Sequence, residues 1–441
     1  MDRATLPIIP CLIAGLTLFD RNGAAADAAP PPPPNVILIV AGDLGYADLG
    51  CQGARDFDTP QIDRLAREGI RLTSFYSGAS TSGASRSALL TGRYPDRLGV
   101  SAEFGPAATD GLPSAETTLA ELLKSKGYAT TAVGLWGLGH QPEFLPTRQG
   151  FDHFFGLPYH RDSPAPPLME NDTVTEPEPD RHSLTRRFTE RAIQTIREER
   201  QHPFFLLFAP AATRAPLFVS PPFSGAARYG LFGDAMEELD WSIGAILETV
   251  RDLNLDQKTL IVFTGDNGPW LEKGPHAGRA DPLRGGKGSP YEGGIRVPCL
   301  MRWPGQLPPG EKRDGIVAAI DLLPTLAALA GAAPAPEKPL DGIDVWPYLT
   351  GKTAASPRDT FFYGADGVRR GDWKLLLPGK YQEIAPQPGL VESTKPRLYH
   401  LPSDISERFD LSGKKEYQGL IAELTRLCQE RKQTEKEPEK K

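Results

Sequence analysis

The residues whose types and spacing suit chemistry gather in the run Thr81 to Arg93, TSGASRSALLTGR. A small polar stretch passes there into the apolar helical pattern of Ala88, Leu89 and Leu90, which puts Ser82 and the following N–H groups at a helix N-terminus. Such an end attracts anions, because unpaired N–H groups and the helix dipole converge on it. Arg86 lies one turn further on and can bring its planar fork to the same anion. A hydroxyl, an anion nest and an arginine together indicate a site for an oxyanion ester; a plain N-cap serine is the competing reading. Elsewhere, Asp43 and the pair Asp266-Asn267 each follow an apolar run, so their oxygens stand at strand ends and suit a hard cation such as calcium. An Asp-Asn-Gly turn is the alternative for the second of these. Lys287 sits in Leu283-Arg-Gly-Gly-Lys-Gly288, where glycines allow a loop to carry an ammonium up to an oxyanion.

The elements that position these groups alternate. Asn35 to Val40, Ala129 to Trp136, Pro203 to Pro210 and Thr259 to Thr264 are apolar runs of strand length, as expected of strands buried on both faces. Between them, Thr59 to Arg71, Thr117 to Lys126, Arg181 to Arg200 and Gly233 to Leu253 carry helical spacing. The series predicts an α/β fold with a doubly wound sheet, whose carboxyl edge is where ligands sit. A further helix starts at Asp321-Leu-Leu-Pro324. From about Trp346 shorter strands (Phe361 to Tyr363, Trp373 to Leu377, Arg397 to Leu401) and a helix from Glu416 to about Lys432 indicate a smaller α+β domain. The expected division is a signal peptide over 1–28, a proline-rich linker over 29–34, a large domain over 35–345, a small one over 346–432 and a charged tail over 433–441.

With 441 residues the chain can bury a substantial core, and its net charge of −7 argues against general nucleic-acid binding. Cys11, Cys51, Cys299 and Cys428 are too few and too scattered for a disulfide framework, and no Cys/His cluster suggests zinc. Leu6 to Phe19 followed by Ala26-Asp27-Ala28 reads as an export signal, so a periplasmic or secreted protein with no stable membrane span is expected. Oligomeric state has no signature in the sequence.

The opening run resembles the sulfatase signature, in which Cys or Ser, any residue, Pro or Ala, any residue and Arg precede Leu-Thr-Gly-Arg. Ser82, Ala84, Arg86 and Leu90 to Arg93 match it. The resemblance extends over most of the chain, points to arylsulfatase A-like members, and implies an alkaline phosphatase-like sheet with a C-terminal antiparallel sheet packed against one helix. It also implies a sulfuric ester hydrolase with a calcium ion held by three Asp and one Asn, flanking Arg, Lys and His groups, and a formylglycine made from the signature Cys or Ser. Asp43, Asp266 and Asn267 match metal positions, Lys287 matches the loop lysine, and Ser82 is the residue for conversion. The gem-diol of formylglycine attacks sulfur with one oxygen and expels sulfate with the other, a route closed to plain serine.

Other positions depart from that pattern. The family pairs two aspartates after the first strand, and this chain has Gly42-Asp43. Where the family reads Gly-Lys-Trp-His-Leu-Gly, this chain reads Gly134-Leu135-Trp136-Gly137-Leu138-Gly139; where it has His before Pro, Arg214 stands in Thr213-Arg214-Ala215-Pro216; a serine after Leu-Pro-Tyr is His160. Three readings follow. A depleted, weakly active or inactive scaffold would bind a sulfate ester or sulfated glycan through Arg86, Lys287 and Arg214. A calcium-dependent Ser-type sulfatase would use formylglycine at Ser82. A phosphomonoesterase with Ser82 as direct nucleophile would need a two-zinc His/Asp pattern that the sequence lacks.

Overall fold

Successive residues of the first apolar run face opposite ways, and each way is buried. Val36, Leu38 and Val40 pack with Phe205, Leu207 and Val262, whereas Ile37, Ile39 and Ala41 pack with Phe204, Leu206, Phe208 and Phe263. A strand covered on both faces needs no polar alternation, which is why the run is continuously apolar. The computed structural model describes Met1 and residues 33–100, 103–159, 166–333, 338–383 and 389–436. The expected signal peptide, most of the linker, His160 and the end of the tail lie outside the described residues.

Ten strands form the main sheet: β1 (Asn35–Ala41), β2 (Ile70–Leu72), β3 (Ala129–Leu135), β4 (His153–Leu157), β5 (Leu168–Glu170), β6 (Thr173–Glu176), β7 (Phe204–Ala209), β8 (Thr259–Gly265), β9 (Cys299–Arg302) and β10 (Glu311–Arg313). Their order is β10-β2-β9-β8-β1-β7-β3-β4-β5-β6. The central strands β8, β1, β7, β3 and β4 are parallel, and β9 and β5 add antiparallel pairings on either side. Helices α1 (Pro60–Glu68), α4 (Leu184–Glu198) and α5 (Gly230–Asp252) cover one face. On the other lie α2 (Ser82–Thr91), α3 (Leu119–Lys124) and α6 (Leu322–Leu329). The sheet is therefore mixed and doubly wound.

Two local differences have physical causes. The helix expected to reach Arg71 stops at Glu68, because Gly69 runs against β9, where a Cβ would lie 2.1 Å from the Met301 carbonyl oxygen, and Ile70–Leu72 pairs with β9 as a strand. The expected Arg181–Arg200 helix opens with a 3-10 turn over Arg181–Ser183 and becomes α-helical at Leu184. By contrast, α3 begins where a reciprocal capping box forms between Thr118 and Glu121.

The C-terminal region is a four-stranded antiparallel sheet of β11 (Thr360–Phe362), β12 (Gly367–Arg370), β13 (Trp373–Leu376) and β14 (Arg397–His400), with α7 (Gln418–Lys436) packed on it through Ile421, Leu424 and Cys428. Sequence reading found three of these strands and missed β12. A buried ionic cluster ties the sheet to the main body. Lys374 of β13 stands 3.1 Å from Glu292 and 2.8 Å from Glu407, and Tyr76 and Tyr363 donate hydroxyl bonds to Glu292. Glu292 opens the short helix Glu292–Ile295, which follows directly on the loop carrying Lys287. The C-terminal sheet thus fixes the base of that loop.

The two carboxylates in this cluster diverge. Burial alone would raise Glu292, but Lys374, Arg296 and Arg369 hold it below the ordinary carboxylate range. Burial, aided by the charge of Glu292, pushes Glu407 up to about 7 against the pull of Lys374. Between the ordinary glutamate value of 4.5 and about 7 the folded protein then holds a proton that the unfolded chain has released. Stability from Glu407 is accordingly complete below that window and lost as pH rises through it. Asp48, also raised by burial to about 7, acts in the same direction. Glu407→Gln should flatten the decline in thermal midpoint between pH 5 and pH 7.5 without abolishing it; a slope as steep as wild type in a pH series of melts would refute this assignment.

Candidate active site

Register brings the first pieces together. In the parallel pairing of β1 with β8, Ala41 lies opposite Gly265, so the residues that follow each strand emerge side by side at the carboxyl edge. Asp266 donates its backbone N–H to the Ala41 carbonyl, and Asp43 donates its own to Asp266 Oδ1 at 2.9 Å. Asp43 adopts a left-handed backbone with φ 54, a conformation disfavoured for a residue with a Cβ and held here by these bonds. Asn267 completes the edge, its Nδ2 donating to Asp43 Oδ1 at 2.8 Å and to the Gly268 carbonyl.

Ser82 is the first residue of α2, and the N-cap position falls to Thr81, which makes no side-chain cap. Its hydroxyl turns instead across the sheet edge, donating to Asn267 Oδ1 at 2.7 Å and accepting from Arg214 Nη1 at 2.6 Å. Those partners settle the Asn267 amide orientation, since a flipped amide would set its oxygen against Asp43 and the Gly268 carbonyl. Arg86 reaches the same sheet edge. Its Nε donates to Asp266 Oδ2 at 3.0 Å and its Nη1 to the Leu135 carbonyl at 2.5 Å, tying α2 to the ends of β8 and β3.

Arg214 comes from the loop after β7, anchored by a hydrogen bond from Thr213 Oγ1 to the Gly42 carbonyl at 2.7 Å. Its side chain is 1% exposed. Besides Ser82 it meets Asp43 Oδ1 at 3.4 Å, and its Nη2 donates to both Glu103 oxygens at 2.9 and 3.0 Å. Lys287 reaches Asp43 Oδ1 at 3.0 Å and Glu103 Oε1 at 2.7 Å, and its ammonium lies 4.6 Å from the Trp270 ring centroid. All seven residues picked from the sequence thus enter one cluster. Glu103 is an eighth, and sequence reasoning missed it. It lies in Glu103-Phe-Gly-Pro106, a loop with no motif and no periodicity. His140 meets Gln141 and Tyr159, neither of them in the cluster.

Calcium takes about six to eight oxygen ligands. Here the oxygens of Asp43, Asp266 and Asn267 already accept hydrogen bonds from Asp43 N, Arg86, Ser82, Arg214 and the Asn267 amide, Lys287 forms an ion pair with Asp43, and of these oxygens Asp43 Oδ2 alone is buried without a hydrogen-bond partner. Among the described residues no three His, Cys, Asp or Glu side chains converge as a metal site. As arranged, these residues do not fit the ion.

A doubly wound mixed sheet with an acidic carboxyl edge and a serine-headed helix beside it defines the alkaline phosphatase-like class of ester-hydrolase scaffolds. Within that class, residues 34–332 match the Sulfatase family profile, and the chain belongs to the sulfatase family. It is 38% identical over 423 residues to human (Homo sapiens) arylsulfatase A, covering 86% of this chain and 83% of that protein. It is also 34% identical over 442 residues to human N-acetylgalactosamine-6-sulfatase, with 89% and 84% covered. Among solved structures it is similar to the PsFucS1 sulfatase from Pseudoalteromonas sp., with a TM-score of 0.85, 26% identity and 92% of each chain covered. Ps i-CgsB in complex with k-i-k-neocarrahexaose gives a TM-score of 0.78 at 30% identity, covering 90% of this chain and 92% of that one.

Proposed function

We propose that this chain is a depleted member of its family, weakly active or inactive as a sulfuric ester hydrolase, that binds the sulfate group of a glycan at the Arg214–Lys287 pair. The observation that carries the reading is the state of Ser82: its hydroxyl is held between Asn267 and a buried arginine that is no base at neutral pH. Leu135 and Gly137 stand where the resemblance implies a lysine and a histidine. Losing one electrostatic donor costs on the order of a hundred to a thousand in rate, and an acid–base group about 10² to 10⁴. Such losses do not simply add within one constellation. Together they still leave little machinery for expelling a leaving group.

A sulfate ester would take the place of Glu103, whose carboxylate spans Arg214 and Lys287 and is 26% exposed. Support for a glycan as carrier comes from the structural neighbour solved with k-i-k-neocarrahexaose. Residues 35–345 would form the ligand-binding domain and 346–432 the domain that steadies the Lys287 loop. No helix among the described residues is long and apolar enough to cross a membrane, and the Leu6 to Phe19 segment supports export to a periplasmic or secreted location.

One specific observation favours a second reading. Ser82-x-Ala84-x-Arg86 is the motif of a Ser-type substrate for formylglycine maturation, which would make the chain an active, calcium-dependent sulfatase. The test is shared. Mass spectrometry of the Ser82 peptide from the native host should show unmodified serine, and an aryl sulfate and an aryl phosphate should both show no turnover that Ser82→Ala removes. A peptide lighter by two hydrogens, with sulfate turnover abolished by Ser82→Ala, would establish the second reading. Phosphate turnover lost in the same variant would point to the phosphomonoesterase.

A further inference from the structure

We infer that the Arg214 guanidinium is the resident cation of this site, standing where the family resemblance implies calcium, and that the active-site loops are organised without a divalent metal. This goes beyond the reading above, since a chain without turnover can still hold calcium. The first ground is steric. A Cβ on Gly42 would lie 3.5 Å from Arg214 Cβ, 3.8 Å from its Cδ and 3.8 Å from Asp266 Oδ2. The arginine stem therefore packs in van der Waals contact against the point from which a side chain at position 42 would start. Gly42 and Arg214 are direct neighbours, although they read in the sequence as two separate losses.

The second ground is charge. Relative to the family pattern, an Asp replaced by Gly42 removes one negative charge, and a neutral His replaced by Arg214 adds one positive charge. Leu135 in place of the family's lysine takes one positive charge back, so the net local swing is one positive charge, half that of a calcium ion. Within the cluster Asp43, Glu103 and Asp266 face Arg86, Arg214 and Lys287, and the two signs balance. A divalent ion added to this set would be a surplus charge in a buried place, which is strongly unfavourable. The third ground is directional. Arg214 offers hydrogen-bond donors to the Asp43, Ser82 and Glu103 oxygens, each of which is an acceptor toward it. The guanidinium thus supplies positive charge and directed donors to Asp43, Ser82 and Glu103 at once.

Calcium titration by calorimetry and thermal melting of the full chain in excess calcium or a calcium chelator tests this. Wild type should give no binding heat and the same midpoint in both solutions. Arg214→Ala should melt lower than wild type and recover by several degrees in calcium, and Gly42→Asp with Arg214→His should bind one equivalent. Stoichiometric calcium on wild type, or an Arg214→Ala melt unmoved by both the substitution and calcium, overturns the inference. Should neither variant fold, the wild-type titration decides alone. Failure here is separable from failure of the proposed function: aryl sulfate turnover that persists in chelator refutes only the latter, whereas calcium bound without turnover refutes only the former.

Discussion

Lys374→Met should destabilise the protein by about 3–5 kcal/mol, as expected when one partner of a buried ion pair is removed. The lysine, Glu292 and Glu407 are all fully buried, and without the ammonium two carboxylates face each other. Arg296 and Arg369 remain near Glu292, so the uncompensated group would be Glu407. Its raised value means that lowering pH should restore part of the lost midpoint. Chemical denaturation at pH 5 and pH 8 checks this: a larger deficit at pH 8 is expected, and an equal deficit would show that packing loss dominates. The effect should travel to the site as well, because Glu292 anchors the segment after Lys287. Proteolysis within Leu283–Gly288 should therefore accelerate in the variant.

Glu103→Gln should tighten binding of an aryl sulfate or a sulfated oligosaccharide about tenfold, equivalent to about 1.4 kcal/mol. The glutamate carboxylate is itself the anion on Arg214 and Lys287, at 2.7 to 3.0 Å, so a sulfate must displace it. Glutamine keeps the shape and drops the charge, and charge-assisted bonds are the stronger ones. Titration calorimetry with the sulfate ester and with the desulfated compound reads the change. Unchanged or weaker affinity for the sulfate ester would mean that Glu103 supports the site and does not compete for it.

The parts legible in the sequence are those with local signals. β1, β7 and β8 announced themselves because strands buried on both faces are continuously apolar, and Ser82, Asp43 and Asp266 could be placed because each follows or begins such an element. Strands β2, β4, β5, β6, β9 and β10 were missed, each being three to five residues long and too short to show a clear period. Gly69 ended α1 for a reason held by β9, a strand distant in sequence. At the site, the roles of Gly42 and Arg214 depend on contacts across 171 residues, and Glu103 meets Arg214 across 111. Local pattern carries no information about such pairs. Residue type alone made Gly42 and Arg214 look like damage; their juxtaposition makes them complementary.

The balance of charge within the cluster bears on how a ligand arrives. A pocket with surplus positive charge projects a field that draws anions inward and speeds their capture. Here the carboxylates cancel the cations within a few ångströms, while the chain as a whole carries −7. On the proposed reading, a sulfated polymer would feel that negative net charge within about 8–10 Å of the surface, and added salt would weaken the repulsion further. Capture would then be slow and accelerate with ionic strength, and preference among ligands would reside in how long each one stays.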